Sequence, residues 1–218
     1  MTNTTQSVRE SYDRIAEAYA HRYVNELEHK PLDRELLDRF AAEANKRRGE
    51  VCEVGCGPGH IARYLRDKGT EITGLDLSPK MVEQARKLNP DILFRVGDMM
   101  ALDFEDDKLA GIVAFYAIVN IPQTSLPNVF GEMLRVMRPG AKLLICFHIG
   151  DEVVHPDELF DQPISMDFFF FQPLAITTLL EKAGFVIEDI VERGPYSSDV
   201  EYQSRRAYIF AKKPESQP

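Results

Sequence analysis

The chain has 218 residues, enough for a single domain over 1–218 with its own core, since a unit of this length removes roughly 70% of its unfolded surface from water. Hydrophobic residues make up 44% and charged residues 28%, values that argue against disordered, fibrous and membrane-embedded proteins. The formal net charge of -9 repels phosphate backbones. The one tight basic cluster, Lys46, Arg47 and Arg48, falls where a helix should end and complements its dipole, so no nucleic-acid partner is expected.

The N-terminal stretch MTNTTQSVRESYDRIAEAYA is amphipathic and lacks the basic start and apolar run of a secretory signal. No segment approaches the run of about 20 apolar residues that a membrane span needs, so cytoplasmic residence without membrane partners is expected. Val8, Tyr12, Ile15 and Tyr19 recur at helical spacing, and Pro31 opens a second helix with Leu32, Leu36, Leu37 and Phe40 on its apolar side. Residues 1–48 thus read as a helical cap.

After that the period changes. Apolar runs at 51–54, 72–75, 92–96, 112–116 and 143–147 alternate with helical patterns at 60–68, 79–88, 126–137 and 174–183, the mark of βαβ units. Strands this apolar on both faces belong to a parallel sheet covered by helices. Two further strands, 186–191 and 206–211, are joined by a link too short for a crossover helix and should pair antiparallel at an edge. The fold expected is a doubly wound α/β sheet of seven strands, mostly parallel with an antiparallel edge strand, helices on both faces and the N-terminal helices over a ligand cleft. Residues 150–172 are long for a strand-to-helix connection and lie at a strand's carboxyl end, which suggests a lid or substrate cap. The tail from Pro214 reads as frayed. Cys52, Cys56 and Cys146 form no CxxC pair and have no histidine at metal-ligand spacing; they read as buried structural thiols, with no metal.

Three motifs carry the chemistry. In Val51-Cys-Glu-Val-Gly-Cys-Gly-Pro-Gly-His60, Gly55, Gly57 and Gly59 permit a tight turn and close backbone approach to a ligand, ahead of a helix that presents free N–H groups. An NAD site carries GxGxxG, whereas the third glycine here comes one position early. Asp76 ends the second strand, where its carboxylate can accept two ribose hydroxyls, and Ser78 then caps a helix begun by Pro79. Asp98 ends the third strand as an acceptor suited to an exocyclic amine.

Together GCGPG, GLDLSPKMVEQAR and VGDM resemble the class I, Rossmann-like S-adenosylmethionine (SAM)-dependent methyltransferases of the small bacterial type, over roughly residues 50–150. The resemblance implies SAM as cofactor, S-adenosylhomocysteine (SAH) as product and a small-molecule acceptor. It implies that Glu53 and the turn Gly55-Cys56-Gly57-Pro58-Gly59 hold the methionine part, Asp76 and Leu77 the ribose, and Asp98 with Met99 the adenine. Phe115 and Tyr116 would line the path to the sulfonium. Tyr12 and Tyr19 close over the cofactor or serve as plain packing. Relatives commonly carry an acid before the fourth strand and a histidine before its Ile-Pro, where this chain has Ala110-Gly111 and Asn120.

Methyl transfer from a sulfonium needs in-line approach, and the thioether leaves without a proton, so positioning supplies much of the acceleration and no catalytic signature need appear. A base matters only for a protonated acceptor. His148 is the candidate base, alongside Tyr116, though a histidine satisfied by its local surroundings is the commoner case. His155, in the cap segment, is a weaker candidate, and His60 reads as part of the helix start. Phe168 to Phe171 form a substrate wall or an edge strand, and Arg205 and Arg206 either recognise a carboxylate or are solvated. An NAD-dependent oxidoreductase and a SAM-binding module without catalysis remain as alternatives; the oligomeric state is open.

Overall fold

The computed structural model describes residues 4–215. The alternating apolar runs form one seven-stranded sheet: β1 (Val51–Val54), β2 (Ile72–Asp76), β3 (Leu93–Val96), β4 (Leu109–Phe115), β5 (Met137–Ile149), β6 (Val186–Arg193) and β7 (Arg205–Lys212). Their spatial order is β6-β7-β5-β4-β1-β2-β3. The first five run parallel, and β7 pairs antiparallel with both β5 and β6 at the edge, as the short link between the last two strands requires. The order reverses between β1 and β4, the point at which ligands of such sheets bind.

Because the central strands are apolar on both faces, the sheet separates two cores. On one face Ile112, Ala114, Leu143, Ile145 and Phe147 pack under α5 (Leu126–Val136) and α6 (Pro173–Ala183). On the other, Val113, Phe115, Leu144 and Cys146 pack under α2 (Pro31–Asn45), α3 (His60–Asp67) and α4 (Pro79–Leu88). Helix α1 (Thr5–Tyr23) starts from a capping box between Thr4 and Ser7 and lays Val8, Ile15 and Ala16 against Met81 of α4 and against Ile164 and Met166 of the 150–172 segment.

The largest departures from the sequence pattern are at β5 and β4. Helix α5 stops at Val136 because Met137 is already extended (φ -79°, ψ 140°), so β5 starts there and covers 137–149 rather than 143–147. Strand β4 begins at Leu109, where Leu109 pairs with Met137, and ends one residue early because Tyr116 takes a positive φ of 55°. Gly111 stands where a Cβ would come within 2.9 Å of the Lys142 carbonyl, so the departure at 110–111 concerns local packing. The 150–172 segment is two small ribbons, 153–154 with 168–169 and 158–159 with 162–163. All three cysteines are buried and free. Of the tail, Pro214 accepts a hydrogen bond from Gly140 N (3.3 Å) and Glu215 pairs with Arg47; 216–218 lie outside the described residues.

Candidate functional site

The carboxyl ends of β1 to β4 surround one cleft. After β1 the chain turns at Gly55, whose φ of +67° few other residues adopt; a Cβ there would stand 2.6 Å from the Ala117 Cβ. A Cβ on Gly57 would meet only Tyr19, at 3.8 Å, so this backbone faces open space beneath α1. The turn is fastened from β2: Asp76 Oδ2 accepts from Gly57 N at 2.7 Å, and Oδ1 accepts from Ser78 N at 2.8 Å. Burial pushes the Asp76 carboxyl up to about 6, against the pull of those two N–H groups. Each oxygen keeps a lone pair for a ligand hydroxyl. Asp98, beyond β3, accepts from Met100 N at 2.9 Å, which orients its carboxylate beside the same cleft.

Nine of the residues expected at the cofactor border the cleft: Tyr12, Tyr19, Gly55, Gly57, Asp76, Leu77, Asp98, Met99 and Phe115. Glu53, Cys56 and Gly59 stand outside its wall. Glu53 is buried, and its Oε2 accepts from Ala62 N at 2.8 Å, satisfying a free donor in the first turn of α3; burial raises its pKa well above the usual carboxylate range. Cys56 points its sulfur at the Gly57 carbonyl, and Gly59 is the left-handed residue before α3, with the Phe94 ring against it. The wall also includes Val8, Leu75, Met81 and Asn120, which sequence reasoning did not place there. Val8 follows from the helical stripe it shares with Tyr12 and Tyr19.

Helix α1 closes the cleft. Asp13 accepts from Ser78 Oγ (2.6 Å) and Lys80 N (3.1 Å) at the start of α4, and Tyr12 donates to Asn120 Oδ1 at 2.8 Å. Asn120 in turn donates to the Asp167 carbonyl (2.8 Å), and Ser165 N donates to Ser11 Oγ (3.0 Å), so the 150–172 segment is tied to the same helix. The enclosed space is about 90 Å³, below the roughly 300 Å³ at which small-molecule sites begin.

Of the two candidate catalytic side chains, Tyr116 borders the cleft with its ring, but its hydroxyl is buried without a hydrogen bond and burial raises its pKa well above the phenol range. Burial thus favours the protonated phenol over the phenolate. His148 stands outside the cleft wall. Its Nδ1 bonds Ser204 Oγ at 2.7 Å, and burial, reinforced by Arg206 and Lys30, pushes its pKa down to about 3. An imidazole so weakly basic is a poor proton acceptor, which weighs against a histidine base at this place.

The other candidates separate in the same way. His60 opens α3 and meets Glu26 through Nε2 at 2.7 Å, and His155 meets Asp167 at 2.6 Å. Phe168 and Phe169 form a ribbon strand with 153–154, while Phe171 packs on Phe147 in the core. Arg205 is on the surface, paired with Glu192 at 2.6 Å, whereas Arg206 is buried. Sequence reasoning missed the network around Arg193, which joins Asp33 (2.9 Å), Glu201 (2.5 Å) and the Tyr208 hydroxyl (2.8 Å). Nothing local signals it, since Asp33 and Arg193 are 160 positions apart.

Residues 51–140 match a family described as a methyltransferase domain. A malonyl-acyl-carrier-protein O-methyltransferase of Erwinia billingiae is 31% identical over 144 residues, which cover 66% of this chain and 54% of that protein. A demethylmenaquinone methyltransferase of Beutenbergia cavernae is 32% identical over 114 residues, 51% of this chain and 45% of that one. The chain thus spans about half the length of these curated relatives. Among solved structures, the SpnF cyclase superposes over 99% of this chain and 98% of its own with a TM-score of 0.74 at 19% identity, a likeness of fold. By its matched domain, its seven-stranded sheet and the cleft at the ends of β1 to β4, the chain is similar to the class I, Rossmann-like SAM-dependent methyltransferases.

Proposed function

We propose that the protein transfers the methyl group of SAM to a small-molecule acceptor, by in-line displacement driven mainly by positioning. The observation that carries this reading is the convergence of the Gly55–Gly57 backbone, Asp76 and Asp98 on one cleft, beneath Tyr12 and Tyr19 of α1. The donor set fits the cofactor. Asp76 offers two oxygens to neighbouring hydroxyls, Asp98 an acceptor to an amine, and the glycine turn a side-chain-free surface; Met99, Leu77 and Phe115 supply apolar contact. When bound, SAM supplies an electrophilic methyl whose thioether leaving group needs no proton. Glu53, Cys56 and Gly59 act one layer below, by holding the turn and the start of α3 in place.

Residues 1–48 and 150–172 serve in this reading as a cap over a single domain that spans 1–218. The ties of α1 to the 150–172 segment, from Ser11 to Ser165 and from Tyr12 through Asn120 to Asp167, make these two one lid that closes over cofactor and acceptor and excludes water, while α2 stays packed on the sheet. The relatives' names differ in acceptor, which leaves a small molecule as the common class; one of them names a carrier protein. No helix among the described residues is long and apolar enough to cross a membrane, and the net charge of -9 disfavours nucleic acid.

A thermal-shift titration with SAM, SAH and NADH tests the reading. A ligand at about 100 times its dissociation constant adds roughly 2.7 kcal/mol, which raises the Tm of a chain this size by about 5–10 °C. Stabilisation by SAM and SAH, absent with NADH and lost in Asp76→Ala, is the expected result. A shift with NADH alone would replace the methyltransferase by an oxidoreductase, and SAM binding without SAH release on any acceptor would leave a binding module.

A further inference from the structure

Helix α1 is fastened unequally to its neighbours. Toward the 150–172 segment its ties are polar: Ser165 N donates to Ser11 Oγ (3.0 Å), Arg14 donates to the Pro163 carbonyl (3.2 Å), and Tyr12 donates to Asn120, which holds the Asp167 carbonyl. Its last turn is anchored as well, because Arg22 donates to the carbonyls of Asp199 (2.9 Å) and Val200 (3.2 Å). In the link to α2, Glu26 meets His60 at 2.7 Å and Lys30 at 2.5 Å, and Lys30 reaches Glu201 at 3.6 Å. Toward α4 the contact is apolar, with Val8, Ile15 and Ala16 against Met81, except at one residue. Among the described residues, the hydrogen bonds that join α1 to α4 are made by Asp13 Oδ1, which accepts from Ser78 Oγ and Lys80 N.

These bonds complete the start of α4. A helix begins with N–H groups that have no partner inside it. In α4 the first position is Pro79, which has no N–H, and at the third Met81 N donates to Ser78 Oγ at 3.0 Å. Between them Lys80 N finds its acceptor on another helix, 67 positions away. The Asp13 carboxylate also meets the positive end of the α4 dipole. Ser78 faces both ways, with its N–H on Asp76 Oδ1 (2.8 Å) and its hydroxyl on Asp13. Asp76, Leu77 and Met81 border the cleft on one side of this seam, and Tyr12 and Tyr19 on the other. Opening the seam parts these walls, and it strips Lys80 N and the Ser78 hydroxyl of their partner.

We propose that Asp13 is a positioning residue of the cofactor cleft: it latches α1 to the start of α4 and governs how fast the cofactor enters and leaves through the seam between them. That the ligand is SAM or SAH rests on the methyltransferase reading; the latch does not. Asp13 does not border the cleft, so its bonds are the same whatever the cleft holds. An interaction of equal strength in the two states cannot shift the binding equilibrium. It can only set the population of the open form through which exchange runs. A residue that touched the ligand would change affinity instead.

The test is the association and release of SAH, followed by surface plasmon resonance on the immobilised full chain. Asp13→Ala is expected to speed both rates about tenfold, the size of a lost helix cap, and to leave Kd within about threefold. Asp13→Asn keeps the accepting oxygen without the charge and should speed both about threefold. In the ligand-free protein, NMR hydrogen exchange of the Lys80 amide should quicken about tenfold in Asp13→Ala, while Met81, held by Ser78, changes little. A variant that was merely less stable would not associate faster. Rates within twofold of wild type in Asp13→Ala, an affinity lost through slower association, or Asp13→Asn as fast as Asp13→Ala overturns the proposal. If Asp13→Ala does not fold, Asp13→Asn carries the test, and unchanged rates there overturn it. A wild type that fails to bind SAH, with Lys80 exchange still quickened in Asp13→Ala, would overturn the methyltransferase reading and leave the latch standing.

Discussion

The two halves of the sheet's carboxyl edge meet at Tyr116, yet they are made of different materials. At β1, β2 and β3 the site is mostly backbone: a glycine turn, two strand-terminal aspartates and the N–H groups of Gly57 and Ser78 that orient one of them. At β5, β6 and β7 it is mostly side chain, with aromatic rings around His148 and buried ion pairs linking Arg193 to distant Asp33 and both Arg193 and Arg206 to nearby Glu201. A ligand common to a whole family can be read by backbone geometry, which tolerates changes of sequence around it. A ligand particular to one protein needs side chains, and these come from wherever the chain passes. Stability and cofactor binding should therefore respond to different residues.

The largest effect expected from this division is on stability, at Arg193→Leu. The substitution leaves the buried carboxylates of Asp33 and Glu201 without their principal partner and should cost about 3–5 kcal/mol. Urea denaturation measures the loss, and SAH affinity of the folded protein should stay near wild type. A cost under about 1 kcal/mol would mean that the network is dispensable and that the half at β5 to β7 is held by packing instead. Next in size is Asp76→Ala, expected to weaken SAH binding about a hundredfold, the loss of two charge-assisted hydrogen bonds, with the fold retained. Near-normal SAH affinity in this variant would remove the backbone half from its assigned role.

The same division explains what was legible beforehand. Apolar runs and glycine punctuation located all seven strands, because each is a local pattern, and Asp76 and Asp98 were found because strand ends are local too. The resemblance assigns Glu53 to the ligand; that its carboxylate also accepts from Ala62 N follows from its burial under α3, and burial cannot be read from four residues of strand. Arg205 and Arg206 were indistinguishable as neighbours in sequence, but successive residues of a strand face opposite ways. One is on the surface with Glu192 and the other lies inside beside Tyr116. Lys30 and Glu26 gave no signal, since their meaning depends on a hairpin 170 or more positions later.

The pH dependence of cofactor binding sharpens the comparison further. In the proposed role Asp76 accepts from ligand hydroxyls best when ionised, and burial pushes its carboxyl in the free protein up to about 6. SAH affinity should be flat above that pH and fall about tenfold per unit below it. For the free protein the sign is opposite. An acid whose folded pKa lies above its unfolded value binds its proton first in the native state, so Asp76 destabilises the fold at neutral pH and that cost is relieved between pH 6 and 4. Titration calorimetry with SAH at pH 5 and pH 7, on wild type and Asp76→Asn, separates the two: only the wild type should lose affinity at the lower pH. His148, with its pKa near 3, should add no break to the rate profile between pH 5 and 9. A break near 6.5 that disappears in His148→Phe would restore it as a base.

The smallest effect contrasts one chemical change at two places. Gly131 lies within α5, has no positive φ, and a Cβ built on it meets nothing within 4 Å. Gly131→Ala should stabilise the protein by about 0.5–1 kcal/mol, through lower entropy of the unfolded chain, and raise Tm by about 1–4 °C without touching SAH affinity. Gly55→Ala adds the same methyl group where φ is +67° and the Ala117 Cβ lies 2.6 Å away, so it should lower both stability and SAH affinity. The paired melting curves test whether the glycine turn is held by its geometry. If Gly55→Ala melts and binds like wild type, the turn relaxes freely, and the close approach of backbone to ligand is not what the glycines after β1 provide.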